Sequence, residues 1–419
     1  MRKKLIGIGA VVLVLALLLT LAPACGKGKE EATPTPGVTP TPGVTPTPTP
    51  EVKTLKIGAI AAASGPAAAW GTAYVLGVKW AADDINAAGG IKVGHDIYMI
   101  KIFSCDSGLT PAESAECAFE MVYDHGAHYV CSLATNAPML PIFHENKVLH
   151  IGLAPGHPRP EFPYHFNGNT DSWCWMDTWV RQVTEAHPEV KTLAIVNPNT
   201  EMGQDWAAAH RAAAPKYGQT IVADEFFEMG TVDFYPLLTR VLAKNPDALS
   251  LDASWAGQQV LLTKQARELG FTGWIHHVAP VPLDLLKASM PESYLYNIAT
   301  NEEVFSEPIF TQSVRELNAR FLELYAKPGE SMNTCTIHGY SHVMCLAKAI
   351  EQAGSIDVDE VLKVMDDPDF RFNRIYIENA KIGGFESSGI RRQFPHFQAY
   401  SEIQDGVLTA LKAEIVELP

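Results

Sequence analysis

The chain has 419 residues, more than one hydrophobic core usually holds, so two domains are expected. Hydrophobic residues make up 47% and charged residues 19%, which is ordinary for a soluble globular protein. The formal net charge is -15, and no basic stripe follows Lys4. An acidic surface repels phosphate backbones, which argues against nucleic acid as a partner.

The first 25 residues have the pattern of an export signal. Residues 2–4 are basic, residues 5–22 are apolar, and Cys25 follows two more residues. Cys25 after small residues resembles a bacterial lipobox, which predicts acylation of this cysteine. A plain signal peptide and an uncleaved N-terminal helix are the alternatives. Each of them places the rest of the chain outside the cytoplasm, and no later run is long enough for a second span.

Residues 26–52 have the composition of a tether. The sequence TPTPGV occurs twice and TPTPTP follows, and such a stretch cannot bury apolar surface. Its prolines favour an extended polyproline II conformation of ~3.1 Å per residue. About 25 residues could hold a domain up to roughly 80 Å from a membrane. The sequence leaves open whether the tether is glycosylated.

From Lys53 onward, predicted strands and helices alternate. In residues 53–167, strands are predicted at 55–61, 97–105, 129–134 and 149–154, with helices at 72–88, 110–123 and 138–146. A second series has helices at 173–186, 206–216, 233–244 and 258–269, and strands at 192–197, 220–227, 248–253 and 274–278. This alternation predicts an α/β protein with two doubly wound lobes and mostly parallel sheets covered on both faces.

The last part of the chain changes pattern. Helices are predicted at 311–326, 336–353 and 358–365, and irregular strands from 370 onward. Two strand–helix series followed by helices and then strands indicate several crossings of the chain between the lobes.

Ligands of open α/β sheets bind beyond the carboxyl ends of the strands. In the first lobe, that rule selects residues 64–71, 132–136 and 154–157; in the second, it selects residues 197–203, 254–257 and 278–280. Small residues around Trp70 would let the backbone approach a ligand, although Trp70 could instead be a half-buried packing residue. Hydroxyl, amide and N–H groups at 132–136 suit a negative group, although a helix cap without a ligand is the alternative.

Enzyme signatures are absent from the sequence. It has no G-x-S-x-G, H-E-x-x-H, P-loop or C-x-x-C. His276 and His277 are adjacent on a predicted strand and would point to opposite faces, so they cannot easily share a metal ion. We therefore predict no catalysis, no cofactor and no metal site.

Six cysteines follow Cys25, an even number in an exported chain. Cys105 and Cys131 lie near the ends of two strands that are predicted to be neighbours, which favours a disulfide between them. The alternative is two small buried hydrophobic residues. The sequence assigns no partner to the other four: Cys117, Cys174, Cys335 and Cys345.

Several stretches together resemble the branched-chain amino acid type of ABC substrate-binding protein, which has the type I periplasmic binding protein fold. They are KIGAIAAASGPAAAWGTAYVLGVKWAADDINAAGGI from Lys56, DHGAHYVCS from Asp124, IVNPNTEMGQDW from Ile195, ALSLDASWAGQQVLLTKQARELGF from Ala248 and IQDG from Ile403. The resemblance covers nearly all of residues 53–419. It implies two lobes that close by a three-strand hinge and delivery of a ligand to a separate permease. It also supports the disulfide Cys105–Cys131, because relatives carry a disulfide at matching places.

The crossings between lobes are expected near Asn167, Ala299 and Asp369. The first lobe then comprises 53–167 and 300–369, and the second 168–299 and 370–419. The resemblance also implies ligand-binding positions in both lobes. These are Trp70 and Trp255 as aromatic residues, Ser132, Leu133 and Thr135 in one carboxylate loop, Ala154 and Gly156 in the other, Met202, and Ala279.

Some of these residues depart from the family pattern. Leu133 and Gly156 stand where amino acid binders have hydroxyls, and Ala279 stands where they have the acid that pairs with the ammonium. An unpaired desolvated charge costs several kcal/mol. We therefore expect a planar or aromatic ligand, with an amino acid or small amide as the alternative. His150, His157, His276 and His277 could donate to a carboxylate, whereas Asp171, Glu201 or Asp252 could reach an ammonium.

These features predict a monomeric, lipid-anchored, extracytoplasmic solute-binding protein of an ABC importer. A ligand-sensing receptor module of the same fold and a periplasmic enzyme remain the alternatives.

Overall fold

A computed structural model describes residues 50–134, 136–153, 159–169, 171–325, 332–374, 377–384, 391–416 and 418. The export signal predicted at 1–25 and nearly all of the tether predicted at 26–52 lie outside these residues. The described residues belong to one compact unit, Thr49–Pro419. Within them, no helix is both long and apolar enough to cross a membrane.

The first sheet has six strands. They are β1 (Val52–Ala61), β2 (Ile91–Val93), β3 (Asp96–Asp106), β4 (Tyr129–Leu133), β5 (Leu149–Gly152) and β6 (His165–Asn167). Their order is β2-β3-β1-β4-β5-β6, and all neighbours are parallel except β2 and β3. Every residue of β4 and β5 is buried, as in a parallel sheet with both faces covered.

The second sheet has seven strands. It contains β7 (Thr192–Pro198), β8 (Thr220–Phe227), β9 (Ala248–Ser250), β10 (Trp274–His277), β11 (Ile298–Thr300), β14 (His396–Gln404) and β15 (Val407–Val416), while β12 (Phe372–Arg374) and β13 (Ile377–Ala380) form a separate hairpin. The order is β15-β14-β11-β10-β9-β7-β8; β14 is antiparallel to both of its neighbours, β11 and β15, and the remaining pairs are parallel. The predicted two-lobed α/β architecture is confirmed.

Eleven described α-helices connect and cover the sheets. They are α1 (Ala68–Ala87), α2 (Pro111–Phe119), α3 (Leu140–Glu145), α4 (Ser172–Ala186), α5 (Glu201–Ala213), α6 (Tyr235–Leu242), α7 (Ala256–Glu268), α8 (Leu283–Ser289), α9 (Gln312–Leu324), α10 (Thr334–Ala353) and α11 (Val358–Asp366). Glycines let α1 and α10 pack closely: a Cβ on Gly77 would lie 1.9 Å from Thr336 O, and one on Gly339 would lie 2.2 Å from Tyr74 O. This contact fixes α10 over the first sheet.

Three chain segments pass between the lobes side by side. The Asn167 N–H donates to Arg392 O at 2.8 Å, and the Phe394 N–H donates to Asn167 O at 2.9 Å. The Ser401 hydroxyl donates to Glu302 O at 2.7 Å, which joins the segment after β11 to β14. These bonds form a hinge of three connected segments.

The third crossing lies later in the chain than the sequence analysis placed it. The hairpin of β12 and β13 packs on the first-lobe helix α10, with Phe372 and Arg374 buried. The chain enters the second sheet only at His396, the first residue of β14. The predicted boundary at Asp369 is therefore wrong, because the apolar hairpin residues bury themselves against the first lobe before the chain crosses.

The predicted disulfide Cys105–Cys131 is also wrong. Cys105 on β3 is bonded to Cys117 on α2, and Cys131 on β4 is buried without a disulfide. The prediction assumed that β3 and β4 are neighbours, but β1 lies between them. Cys105 pairs in register with Ile60 and Cys131 with Ala59, so the two side chains also point to opposite faces of the sheet.

Candidate functional site

A cavity of about 690 Å³ lies between the two lobes, where the carboxyl ends of both sets of parallel strands meet. It is lined by Trp70, Leu109, Pro111, Leu133, Ala134, Asn136, Ala137, Pro138, Leu140, Leu153, Arg159, His165, Asn169, Trp175, Thr200, Glu201, Met202, Asp205, Trp206, Met229, Asp252, Ala253, Trp255, Ala279, Pro280, Thr334, Cys335 and His338. We call this cavity the cleft. Most of its lining side chains are apolar, as is usual for small-molecule sites.

Five of the sequence-predicted site residues line the cleft: Trp70, Leu133, Met202, Trp255 and Ala279. They come from both lobes and are brought together only by the fold. Thr135, Ala154 and Gly156 lie outside the described residues. The predicted role of each residue in binding a ligand stays a prediction.

Ser132 is placed differently from the expectation. It is fully buried in β4, and its Oγ lies 2.7 Å from His150 Nε2. Side chains alternate along a strand, so Ser132 and Leu133 face opposite sides, and it is Leu133 that lines the cleft. The Ser132 hydroxyl is therefore engaged inside the first lobe.

The two tryptophans meet each other across the cleft. Their ring centroids are 5.8 Å apart and the ring planes are inclined by 72°, an edge-to-face contact. The Trp70 indole Nε1–H donates to Pro280 O of the second lobe at 2.9 Å. In this structure, the pair does not form two parallel walls with a ligand between them. It joins the two lobes at this point of the cleft.

An ion pair bridges the lobes at a second place. Arg159 Nη2 lies 2.6 Å from Glu201 Oε1, and Glu201 is the first residue of α5. The Arg159 side chain is 39% exposed and the Glu201 side chain 74% exposed, so the pair contributes little to stability, at most about 1 kcal/mol. In this conformation, the two lobes contact each other and the two side chains pair their opposite charges.

Two other acidic residues singled out by the sequence are held within the second lobe. Asp252 is fully buried, accepts from Ser250 Oγ at 2.6 Å and Asn197 Nδ2 at 3.3 Å, and lies 3.0 Å from His210 Nδ1. Burial alone would raise the pKa of Asp252, but His210 and the hydrogen bonds lower it overall. Asp171 Oδ1 accepts from the Trp173 and Cys174 N–H groups and caps α4.

The histidines expected at the mouth of the cleft are core residues where the structure describes them. His150 Nδ1 lies 3.0 Å from His165 Nδ1, and His277 Nε2 lies 2.8 Å from Thr263 Oγ1. His276 packs edge-on against Trp179 at 6.1 Å between ring centroids, on the other face of β10 from His277. His157 lies outside the described residues. Burial lowers the pKa of His276 and of His277 to about 3.

A buried polar cluster at the hinge adjoins the cleft, and its members Thr334 and His338 line the cleft. Arg374 has no exposed surface, donates to Gly168 O at 3.0 Å and to Pro395 O, and contacts His338 on α10. The Thr334 hydroxyl donates to the Glu303 carboxyl, and burial raises the pKa of Glu303 to about 8. Burial, followed by the charge of Arg374, lowers the pKa of His338 well below its usual value.

Sequence reasoning missed several cleft residues. Asp205 and Trp206 lie one turn inside α5, just beyond the predicted strand-end segment 197–203. Trp175 packs on Trp206 with ring centroids 5.3 Å apart and lines the cleft. Extending each strand-end segment by one helical turn would have found the α5 pair. Thr334, Cys335 and His338 could not be found that way, because α10 does not follow a strand.

Comparisons with known proteins agree with this geometry. A model of the periplasmic binding protein family matches residues 54–383. A Leu/Ile/Val-binding protein homolog from Brucella melitensis is 25% identical over 313 residues, covering 72% of this chain and 80% of that protein. A leucine-, isoleucine-, valine-, threonine- and alanine-binding protein from Pseudomonas aeruginosa is 23% identical, covering 86% of this chain and 92% of that protein.

Solved structures share the fold. A leucine-binding protein from Thermotoga maritima has a TM-score of 0.71 at 18% identity, covering 86% of this chain and 98% of that one. A solute-binding protein of an ABC transporter from Rhodopseudomonas palustris, in complex with 3,4-dihydroxybenzoic acid, has a TM-score of 0.70 at 18% identity and covers 87% and 99%.

The two lobes, the hinge and the cleft define a type I periplasmic binding protein. The chain belongs to the periplasmic binding protein family, and it is similar to the leucine-binding proteins of that family.

Proposed function

We propose that this protein captures a small organic molecule outside the cytoplasm and delivers it to the permease of an ABC importer, without any chemical change. The observation that supports the proposal is the cleft. It is lined by side chains from the strand ends of both lobes, and three hinge segments join those lobes. Such an arrangement binds a ligand by closing around it. The ABC transporter proteins with similar folds support delivery to a permease.

The ligand in this proposal is an aromatic or planar carboxylate, with an amino acid-like compound as the alternative. Ala279 lines the cleft and offers no carboxylate to an ammonium group. Glu201 is paired with Arg159, and Asp252 is held by His210, Ser250 and Asn197. An α-ammonium placed among these residues would meet carboxylates that are already engaged. Related folds bound to benzoate and to 4-hydroxybenzoate support an aromatic acid.

Ligand capture is tested by replacing the two tryptophans. Trp70→Ala removes an indole and a hydrogen bond to Pro280 between the lobes, and Trp255→Ala removes its partner. Tryptophans at the centre of a site often carry 2 kcal/mol or more, so each change is expected to raise the Kd at least about tenfold. Mass spectrometry of the compound that co-purifies with the native protein identifies the ligand, and calorimetry measures the Kd.

The control for this experiment is Tyr123→Ala, an exposed aromatic residue of the first lobe that is not part of the cleft. It is expected to bind like the parent. Small-angle scattering should show a smaller radius of gyration with the ligand than without it. Unchanged affinity in both tryptophan variants, together with an unchanged radius at saturation, would contradict capture in this cleft.

We further propose that the mature protein is a monomer anchored by lipid on Cys25, with residues 26–52 as the tether. One acyl chain binds a membrane only weakly, whereas several chains hold firmly. The processed chain should therefore enter the detergent phase on phase separation, and Cys25→Ser should remain aqueous. Processed wild-type protein found in the aqueous phase would contradict the lipid anchor and would leave the proposal of ligand capture unaffected.

A further inference from the structure

The turn between β3 and α2 has an unusual backbone. Its two central residues are both left-handed, with a φ of 51° at Gly108 and 59° at Leu109. The Thr110 N–H closes the turn by donating to Ser107 O at 3.0 Å. Glycine, asparagine and aspartate suit such positions, whereas the Cβ of a leucine comes too close to the following carbonyl oxygen. The backbone of Leu109 is therefore strained.

Leu109 differs from the other described residues that share this conformation. Apart from glycines, they comprise four short polar residues and one lysine: Asn245, Asn297, Asn379, Asp405 and Lys147. Asparagine and aspartate tolerate a positive φ because their side chains can hydrogen-bond the local backbone. Lys147 lies on the surface beyond α3 and pairs with Asp359. Within the described residues, the one apolar side chain on a left-handed backbone thus belongs to a residue that lines the cleft.

The residues around the strained turn hold it in place. Asp106 Oδ1 accepts from the Gly108 N–H at 3.0 Å and from the Ala63 N–H at 2.8 Å, which ties the turn to the loop after β1. The disulfide Cys105–Cys117 joins the end of β3 to α2. A strained backbone persists only where the surrounding structure enforces it, and such residues cluster where ligands are bound. The strain at the cleft is therefore an indication of function.

We propose that Leu109 is a ligand-binding residue whose side chain contacts an apolar group of the captured molecule. Leu109 is half-buried: it packs against the hydrophobic core and also lines the cleft. The braced turn fixes its position before a ligand arrives, so little conformational entropy is lost on binding. This inference rests on the proposed function and adds a position that the family resemblance did not indicate.

The test separates the side-chain contact from the strain. Calorimetry with the full mature chain measures the Kd of benzoate, 4-hydroxybenzoate, leucine and the co-purifying compound. Leu109→Ala and Leu109→Gly both remove the contact, and each is expected to raise the Kd of the tightest of these ligands at least about tenfold. Glycine also relieves the strain, so Leu109→Gly should unfold at a higher temperature than Leu109→Ala. The reverse order of unfolding would contradict the strained turn and overturn the inference.

A third variant, Leu109→Asn, keeps the size of the side chain and suits the turn, but replaces the apolar contact with a polar one. It should weaken binding as Leu109→Ala does. Leu322→Ala is the matched control, because Leu322 is 44% exposed on α9 and its truncation removes the same atoms; it should keep the parent's Kd. Parent-like Kd values in all three Leu109 variants would make Leu109 a packing residue, overturning the inference and leaving ligand capture standing. Failure of every compound to bind the parent would overturn the proposed function and this inference together.

Discussion

Replacing Arg374 with methionine is expected to lower the free energy of unfolding by about 2–4 kcal/mol. Arg374 is fully buried and donates to the carbonyl oxygens of Gly168 and Pro395, which belong to two different hinge segments. Each buried carbonyl that loses its donor costs about 1–3 kcal/mol, and part of that loss is offset because a buried charge is removed. Chemical denaturation at neutral pH measures the change.

Arg371→Met is the matched control. Arg371 directly precedes the same hairpin, is exposed, and donates to the nearby carbonyls of Pro368 and Phe370. Its replacement should change stability by no more than about 0.5 kcal/mol, as for other surface positions. Because Arg374 joins hinge segments, Arg374→Met should also change the ligand-dependent compaction in small-angle scattering. Equal stability and equal compaction in the two variants would mean that Arg374 does not hold the hinge.

The second large effect is a loss of stability in acid. Burial lowers the pKa of four histidines to about 3: His165, His276, His277 and His342. In the unfolded chain, such groups titrate near 6.5. A depressed pKa stabilises the folded protein fully above about pH 6.5, and this stabilisation is lost as the pH falls towards 3. Each histidine could cost up to about 2–3 kcal/mol by pH 4.5, since one pKa unit is worth about 1.4 kcal/mol.

Two carboxyl groups change stability with pH in the opposite direction. Burial raises the pKa of Glu302 and of Glu303 to about 8. A raised carboxyl pKa stabilises the folded protein below about pH 4.5 and loses that contribution as the pH rises through 8. As the pH falls from 8 to 4.5, these two carboxyl groups therefore regain stability and offset part of the loss from the histidines. Because the four histidines outnumber these two carboxyl groups, a net loss of stability in acid is still expected.

The acid prediction is checked by urea unfolding at pH 7 and pH 5. His277→Gln can keep a hydrogen bond to Thr263 and removes one buried titrating group, so the difference between the two pH values should shrink. His95→Gln is the control, because His95 is exposed in the folded protein. A pH difference that His277→Gln leaves unchanged would show that the buried imidazole contributes no acid sensitivity.

Local sequence patterns predicted much of the fold. The alternation of apolar strands with amphipathic helices predicted both parallel sheets, because each strand and each helix records in its own residues which faces are buried. The helix 336–353 and the strand 274–278, for example, correspond to α10 at Thr334–Ala353 and β10 at Trp274–His277. The strand-end rule also selected Trp70, Met202, Trp255 and Ala279, which line the cleft.

The sequence could not show which strands are neighbours. Cys105 and Cys131 lie on strands that follow each other along the chain, β3 and β4. In the sheet, however, β1 lies between these strands, and Cys105 is bonded to Cys117 on α2. Strand order depends on contacts between residues far apart in the chain, and no short pattern records them. The third hinge crossing was misplaced for the same reason, since the burial of Phe372 depends on where α10 lies.

What the sequence alone determined is the class of fold, the family resemblance and a set of cleft residues at strand ends, all of which reside in continuous stretches of chain. Only the tertiary structure decided that Trp70 and Trp255 touch edge to face, that Ser132 turns inward to His150, and that Arg374 ties two hinge segments. It also set the size of the cleft. Each of these features depends on the distance between residues from different lobes or layers, which is fixed when the two sheets and α10 pack together.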